Sequence, residues 1–359
     1  MKANNKTILF LIIVTVILTG ILGLISFLTL IFLSELKIGR DMTDKHGMSS
    51  GSSRLGGVAI FISSALGLLF KIKSSGLTLS IHEISQLNLI LIFSVLIGFI
   101  GLAEDLSQKI GFVSRLISIF LLVILALMVI PELVPYNLPV INLLSLEDSF
   151  FIVFFFTSFM ILGFINAGNI ADGANGLLSI ISLLFFVIVY SLNHDLLYLS
   201  LIISLLSFSL YNVFTGKIFL GDFGAYTLSA LIAFLSLYLY ATDQLGVFFI
   251  ASIMVYPCYE ISRSVLFRII NKSSIFHPDN KHLHNYINTY ILSFGIDPHT
   301  SNSLTGVTIA LFTSGIPVII FFSGVSPKSS IWLIIFSIQI IILVFLFLFF
   351  ANRKYPKKL

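Results

Sequence analysis

The sequence predicts an all-α integral membrane protein with about eleven transmembrane helices. Of its 359 residues, 57% are hydrophobic and only 10% are charged, which exceeds what the surface of a soluble domain allows. Long runs rich in Phe, Leu and Ile approach the roughly 20 apolar residues that cross about 30 Å of hydrocarbon, and they lack the alternation of barrel strands. We place the helices at about 8–33, 56–70, 88–103, 112–131, 150–165, 176–192, 196–214, 223–241, 246–262, 304–324 and 330–350.

The distribution of Lys and Arg orients these helices. If the loop after the first helix lies in the cytoplasm, 15 of the 20 Lys and Arg residues fall on the cytoplasmic side, as the positive-inside rule requires. The first run has no small-residue cleavage site, so we expect a retained anchor. The single Cys258 excludes an internal disulfide and a multi-cysteine zinc site. We treat residues 1–359 as one domain.

Four polar motifs lie at predicted helix ends, and the alternation of the helices places all four on the cytoplasmic side. They are "GLAEDLSQK" around Asp105, "FINAGNIADGANGL" at 164–177, "FLGDFGAY" around Asp222 and "HPDNKHLHNY" around His282. Acidic residues of the outer loops have no comparable glycine-framed motif. One face of the membrane therefore carries the candidate chemistry.

The adjacent acids Glu104 and Asp105 allow two interpretations. Asp105 and Lys109 are spaced i,i+4, so they could form a surface pair worth a few tenths of a kcal/mol where the third helix meets water. Alternatively, the two acids supply a general base or a metal ligand. The pair alone does not decide between these interpretations.

In the second motif, Asn166, Asn169 and Asp172 recur every three residues, so a helix end would align them as one polar stripe. Gly173 and Gly176 permit a turn between the fifth and sixth helices. A capped hairpin explains one or two such residues, whereas a charged side chain near the membrane core costs roughly 2.5 to 3.5 kcal/mol. Carboxamide and carboxylate oxygens together suit Mg²⁺. The stretch therefore favours a magnesium site, with a simple hairpin as the alternative.

Asp222 lies between Gly221 and Gly224 at the start of the eighth predicted helix. As an N-cap it would stabilise that helix by about 1 kcal/mol. The two glycines leave room for a ligand or for a second backbone. Asp222 is therefore the best single candidate for a metal ligand.

The long hydrophilic segment at 263–303 contains a histidine pair. His282 and His284 do not share a helix face at i,i+2, and with Lys281 beside them they suit anion contacts better than a zinc site without thiolates. Solvated loop histidines are the alternative. The loop "RDMTDKHGMSSGSSRLGG" combines Lys45 and Arg54 with glycines and serines, and an ordinary positive-inside loop is its alternative.

Taken in this order, the motifs resemble the polyprenyl-phosphate N-acetylhexosamine-1-phosphate transferase superfamily of the glycosyltransferase family 4 type. Five matches carry the resemblance: "SRLGGVAIF", "GLAEDLSQK", "NAGNIADGANGL", "FLGDFGAY" and "NKHLHNY". They extend from Ser53 to Tyr286, and the helix count suits the glycan-initiating branch. The triple histidine typical of the muramyl-pentapeptide enzyme is absent, which favours a glycan initiator.

The resemblance implies three groups of site residues by position. The catalytic group, which contains the counterpart of the family's aspartate pair for the lipid phosphate, comprises Asp105, Glu104 and Asp172, with the role of Asp172 left open. The metal ligands are Asp222 and Asn169. The substrate contacts are Asn175 for the uracil, His282 and His284 for the diphosphate or sugar, and the cations Arg54, Lys45 and Lys109.

Three departures from the family pattern bear on these assignments. Glu104 replaces the usual first aspartate, which lengthens that side chain by one methylene. Asn175 stands where many members have aspartate. The first loop is shorter and lacks the usual prolines, so Lys45 is a weaker assignment than Arg54.

The resemblance also implies the reaction. A UDP-N-acetylhexosamine would transfer its sugar 1-phosphate to polyprenyl phosphate, releasing UMP and starting a lipid-linked cell-envelope glycan such as an O-antigen. The implied cofactor is Mg²⁺, with Mn²⁺ as an alternative, and the implied place is the cytoplasmic membrane with active-site loops facing the cytoplasm. We expect no nucleic-acid partner, and a homodimer is left open. The rival interpretation is a secondary transporter, which would place ionisable residues near mid-membrane on broken helices.

Overall fold

The computed structural model describes residues 5–36, 38–40, 51–75, 85–143, 149–272 and 281–353. These residues form helices, with two isolated β-bridges and no β-strand, so the all-α class is confirmed. The α-helices are α1 Asn5–Thr19, α2 Ile21–Glu35, α3 Gly56–Ser75, α4 Gln86–Ser107, α5 Phe112–Val129, α6 Pro139–Leu143, α7 Phe150–Ala171, α8 Leu177–Asn193, α9 Leu196–Thr215, α10 Gly221–Ala241, α11 Val247–Ile253, α12 Val255–Ile270, α13 Leu283–Leu292, α14 Pro298–Ala310, α15 Ile316–Phe322 and α16 Ile331–Ala351. A 3-10 turn spans Pro131–Leu133, and a π-helical segment, Leu311–Gly315, joins α14 to α15.

Seven helices of the described chain are long and apolar enough to cross a membrane. They are α4, α5, α7, α9, α10, α16 and the continuous run Pro298–Phe322, and each coincides with a predicted span. The other four predicted spans correspond to helices that are shorter or broken. The protein is therefore a multi-pass membrane protein, and the count of eleven crossings stays a prediction.

The first predicted span is not one continuous helix. The chain breaks at Gly20, whose φ of 66° lies in the left-handed region that ends a right-handed helix. A methyl group built on Gly23 would lie 3.0 Å from the carbonyl oxygen of Thr15, a distance that a straight helix does not permit. Helices α1 and α2 therefore bend sharply against each other.

The ninth predicted span is also broken, between α11 and α12. Pro257 has no N–H for the carbonyl of Ile253 four residues earlier, and the helix is interrupted at Met254. The hydroxyl of Ser314 donates to that carbonyl oxygen at 2.6 Å. Because a freed carbonyl in the membrane needs another donor, this bond stabilises the break.

A second proline, Pro317, lies within the continuous run Pro298–Phe322, and the carbonyl that it leaves without a donor is also bonded by another helix. Pro317 deprives the carbonyl of Thr313 of its helical donor, and the amide of Gln339 on α16 donates to that oxygen at 2.7 Å. The π-helical segment lies directly before this proline. The two hydrogen bonds connect the π-helical segment to α11 and to α16.

Helix α10 is the most deeply buried of the seven long helices, and glycines let its neighbours approach its backbone. A methyl group built on Gly57 of α3 would lie 2.2 Å from Cα of Gly224, and one on Gly101 of α4 would lie 2.4 Å from the carbonyl carbon of Asp222. A real Cβ does not come that close to backbone atoms. These contacts place the start of α10 directly against α3 and α4.

The segment before α3 pairs with the segment before α10. The backbone N–H of Ser53 donates to Lys217 at 3.1 Å, and the N–H of Phe219 donates to Ser53 at 2.7 Å. The N–H of Gly57 then donates to the carbonyl of Leu220 at 2.7 Å. Two motifs that are far apart in sequence therefore lie side by side.

The close approach at Gly101 predicts a stability effect. Gly101→Ala should lower the free energy of unfolding by about 1 to 3 kcal/mol, because the new methyl group overpacks the backbone at Asp222. The matched control is Gly163→Ala in α7, where a methyl group meets nothing within 4 Å. Thermal unfolding in detergent should show a lower Tm for Gly101→Ala and an unchanged Tm for Gly163→Ala. Equal Tm values for the two variants would contradict the close packing of Gly101 against α10.

Candidate active site

Asp105 forms the central polar contact at this end of the helix bundle. Its side chain is fully buried, Oδ1 accepts the backbone N–H of Asp222 at 3.0 Å, and Oδ2 accepts that of Phe223 at 2.9 Å. These N–H groups belong to the first turn of α10, where a helix has no backbone acceptors of its own. Asp105 of α4 therefore caps α10 from 117 residues away in sequence.

This cap corrects one sequence-based alternative. The helix begins after Leu220, and no side-chain cap comes from within the segment. Asp222 is thus not the N-cap of its own helix. Since Asp105 satisfies the backbone donors, the carboxylate of Asp222 is available for other contacts.

The carboxylate of Asp222 contacts the other predicted metal ligand. Oδ1 of Asp222 accepts the side-chain amide of Asn169, at the end of α7, at 3.0 Å. Oδ2 forms an ion pair with Nη1 of Arg115. The structure therefore brings Asp222 and Asn169 together, as the sequence predicted, and adds a cation.

Arg115 was missed in the sequence analysis. It is the only charged residue of α5 and lies in its first turn, so an isolated charge in an apolar helix was the available signal. Its Nε is buried without a hydrogen-bond partner in the described part of the chain. The guanidinium is held at the site by Asp222.

Asp172 ends α7 at the same site. The residue as a whole is half-buried, and its carboxyl group interacts electrostatically with Asp222 and Asp105. Burial, followed by the charges of these two carboxylates, raises the pKa of Asp172 well above its usual value. Three helix ends thus bring three carboxyl groups together, and Arg115 pairs with one of them, Asp222.

The oxygen donors of Asp222 and Asn169 fit a Mg²⁺ ion, which binds through one or two carboxylates and completes its shell with water and substrate phosphates. Within the described ranges, no group of three His, Cys, Asp or Glu side chains could hold a metal by itself. The excess negative charge of three aspartates also favours a cation.

Glu104 and Lys109 lie at the edge of the site. Oε2 of Glu104 accepts the backbone N–H of Ile110 at 2.8 Å and so holds the turn that follows α4. The helix ends at Ser107, and Asp105 points towards α10, so the alternative i,i+4 pair of Asp105 with Lys109 does not form. The side chain of Lys109 is exposed, and its predicted contact with substrate stays a prediction.

Asn175 belongs to a buried network beneath the turn between α7 and α8. Its backbone N–H donates to Oδ1 of Asn302 at 2.7 Å, and its side-chain amide donates to Ser303 at 3.1 Å. Asn212 on α9 donates to its carbonyl oxygen at 3.4 Å. Gly176 turns the chain here with a φ of 79°, which confirms the predicted turn. The predicted uracil contact of Asn175 stays a prediction.

The histidine pair is held by residues of α12. Nδ1 of His282 lies 2.9 Å from Oε2 of Glu260, and Nδ1 of His284 lies 2.9 Å from the hydroxyl of Tyr256. The two imidazole rings stack with their centroids 5.3 Å apart. Sequence reasoning missed both partners, although Glu260 is the only acid in the predicted ninth span.

The histidines and the aspartates belong to the same site. A methyl group built on Gly173 would lie 2.4 Å from Nε2 of His284, so this ring packs directly against the residue that follows Asp172. Arg54 interacts electrostatically with Asp105, and its carbonyl oxygen packs against Gly221. Five predicted motifs therefore converge, while Lys45 lies outside the described residues.

Comparisons of the sequence with known proteins identify its relatives. The family model described as glycosyl transferase family 4 matches residues 87–240. A probable undecaprenyl-phosphate N-acetylglucosaminyl 1-phosphate transferase of Bacillus subtilis is 31% identical over 303 residues, which cover 81% of this chain and 77% of that protein. An undecaprenyl-phosphate alpha-N-acetylglucosaminyl 1-phosphate transferase of Thermotoga maritima is 29% identical over 58% of this chain and 63% of its own.

A relative with a different name also matches. A phospho-N-acetylmuramoyl-pentapeptide-transferase of Streptococcus uberis is 31% identical over 262 residues, covering 61% of this chain and 72% of that protein. The family match contains Asp105, Asn169, Asp172 and Asp222. The chain therefore belongs to the glycosyl transferase family 4 enzymes, within the polyprenyl-phosphate N-acetylhexosamine-1-phosphate transferase superfamily.

Proposed function

We propose that the protein transfers an N-acetylhexosamine 1-phosphate from its UDP-sugar to undecaprenyl phosphate, releasing UMP and starting a cell-envelope glycan. The observation that carries the proposal is the convergence of Asp222, Asn169, Asp172 and Arg115 at one end of the helix bundle. An ionic site at the end of membrane helices can meet a water-soluble sugar nucleotide and a lipid phosphate at the same time. The names of the two N-acetylglucosaminyl relatives support this substrate class.

The proposed site lies on the cytoplasmic side of the cytoplasmic membrane. Arg54, Lys109 and Arg115 are among the cationic residues at this end of the bundle, as the positive-inside rule requires of a cytoplasmic face. Sugar nucleotides are made in the cytoplasm, and the lipid phosphate lies at the membrane surface. Both substrates can meet only there.

In the proposed reaction, an oxygen of the lipid phosphate forms a bond to the sugar-bearing phosphorus, and the bond from that phosphorus to UMP breaks. Positioning and charge neutralisation dominate such phosphoryl transfers. Asp222 and Asn169 would hold Mg²⁺, with Mn²⁺ as an alternative, and the ion would neutralise charge on the diphosphate. Arg115 supplies a fixed positive charge beside the same carboxylate.

A strong general base is not required, because a phosphate monoester with a second pKa near 6 is already largely dianionic at pH 7. Asp105 contributes by holding Asp222 and the first turn of α10 in place. In this proposal Arg54 and Lys109 would orient the lipid phosphate. Glu104 shapes the turn that carries Lys109.

The first test measures UMP release by purified protein with undecaprenyl phosphate, Mg²⁺ and a panel of UDP-N-acetylhexosamines. Asp222→Asn should lower kcat by about a hundredfold or more, since it removes the carboxylate that would hold Mg²⁺ and that pairs with Arg115. EDTA should abolish turnover, and added Mg²⁺ should restore it. The matched control is Asp243→Asn, just beyond the other end of α10, where the aspartate pairs with the exposed Lys328.

The proposed function would be refuted by either of two results. The first is the absence of UMP release with every sugar of the panel. The second is full activity of Asp222→Asn under conditions in which Asp243→Asn is also active.

The raised pKa of Asp172 predicts that replacing this residue stabilises the folded protein, whereas most substitutions in a buried site destabilise it. A carboxyl group whose pKa is higher in the folded state destabilises that state once the pH exceeds its unfolded pKa. In EDTA, Asp172→Asn should therefore raise the Tm at pH 7 to 8, and this gain should shrink towards pH 4. If the variant is no more stable than the wild type at neutral pH, the ionised carboxylate of Asp172 does not destabilise the folded state.

A further inference from the structure

Glu260 connects the histidine pair to α12. The carboxylate is fully buried and is surrounded by three donors: the backbone N–H of Leu283 at 2.8 Å, Nη2 of Arg263 at 3.1 Å and Nδ1 of His282 at 2.9 Å. A buried carboxylate is stable only when it is paired and hydrogen-bonded. Glu260 therefore fixes both the start of α13 and the ring of His282.

The chemistry of Glu260 determines which ring nitrogen of His282 carries hydrogen. An ionised carboxylate is an acceptor only, so a nitrogen that lies 2.9 Å from it must donate. Nδ1 also lies 3.4 Å from Nη2 of Arg263, which is itself a donor. The shorter contact with the acceptor assigns the hydrogen of His282 to Nδ1.

The environment of Tyr256 gives the opposite assignment for His284. The tyrosine hydroxyl is fully buried, its oxygen interacts with the backbone N–H of His284, and Nδ1 of His284 lies 2.9 Å away. An oxygen that accepts from a backbone N–H has its own hydrogen to donate, and Nδ1 is the acceptor within reach. The hydrogen of the neutral His284 ring is then on Nε2.

Nε2 of His284 lies at the proposed active site. It packs against Gly173, the residue that follows Asp172, and any side chain at Gly173 would displace it. An N–H group in this place can donate to an anionic oxygen, and such bonds are shorter and stronger than neutral ones.

We propose that Tyr256 and Glu260 are positioning residues that hold the two rings of the histidine pair with hydrogen on opposite nitrogens, so that His284 presents Nε2–H to a diphosphate oxygen of the sugar nucleotide. The identity of that anion rests on the proposed function. The hydrogen positions rest only on contacts within the protein.

The first test uses the ¹⁵N chemical shifts of the imidazole nitrogens, which distinguish the two neutral forms. Protein labelled with ring-¹⁵N histidine is measured in detergent, and the His284 signals are assigned by their loss in His284→Gln. The expected wild-type spectrum has the hydrogen of His284 on Nε2, and Tyr256→Phe should give a mixture of both forms. Hydrogen on Nδ1 of His284 in the wild type would overturn the proposal whether or not the protein releases UMP.

The second test separates binding from turnover in the UMP assay. Tyr256→Phe should raise the KM for the UDP-sugar about tenfold with kcat within about twofold, because one hydrogen bond to a charged group weakens. The control is Tyr259→Phe, a buried tyrosine of the same helix, which should leave KM unchanged. Equal KM values for Tyr256→Phe and the wild type would contradict the positioning role.

Glu260→Gln tests the other ring. Glutamine keeps an oxygen for the N–H of Leu283 but can present an amide N–H to His282. The hydrogen of His282 should therefore move from Nδ1 to Nε2, while the His284 signals stay unchanged. A His282 spectrum identical to that of the wild type would overturn the assignment to Glu260.

Discussion

The interaction on which the rest of the site depends is the bond between the buried carboxylate of Asp105 and the first turn of α10. A helix start inside a membrane protein exposes N–H groups that lipid cannot satisfy. Asp105 satisfies two of them from a different helix, so α4 and α10 are held in one register. Asp222, which provides one of those N–H groups, then directs its carboxylate towards Asn169 and Arg115.

Glycines allow the helices to approach closely enough for this geometry. Gly101 and Gly57 bring α4 and α3 against the backbone of α10, and the paired segments at Ser53 and Phe219 bring Arg54 to the same place. On the other side, Gly173 admits the ring of His284. The glycines that frame the polar motifs therefore serve close packing between helices, and the charged groups meet because of it.

Several parts of this arrangement could be predicted from the sequence. The seven long helices follow from runs of apolar residues, and the neighbourhood of Asn169 and Asp222 follows from motifs at the ends of helices on one side. The partners of residues that lie outside these motifs could not be predicted in this way. Arg115, Tyr256 and Glu260 lie inside apolar helices without a local motif, and only the packing of the bundle shows which groups they face.

The N-cap alternative for Asp222 fails for a physical reason. Asp222 has the residue type and the position of a local N-cap, whereas the cap comes from Asp105, 117 residues earlier. Local propensity describes what a residue can do for its own helix. It contains no information on a carboxylate that another helix supplies.

The most direct measurement of the central claim is the Tm and the kcat of Asp105→Ala, compared with those of Asp195→Ala. Asp195 caps α9 locally, on an exposed turn, so its loss should cost about 1 kcal/mol of stability or less and leave kcat unchanged. If Asp105 acts by holding α10, Asp105→Ala should lower the Tm further and lower kcat with it. A loss of kcat at an unchanged Tm would contradict this account, because it would show that Asp105 acts on the substrate and does not position the helix.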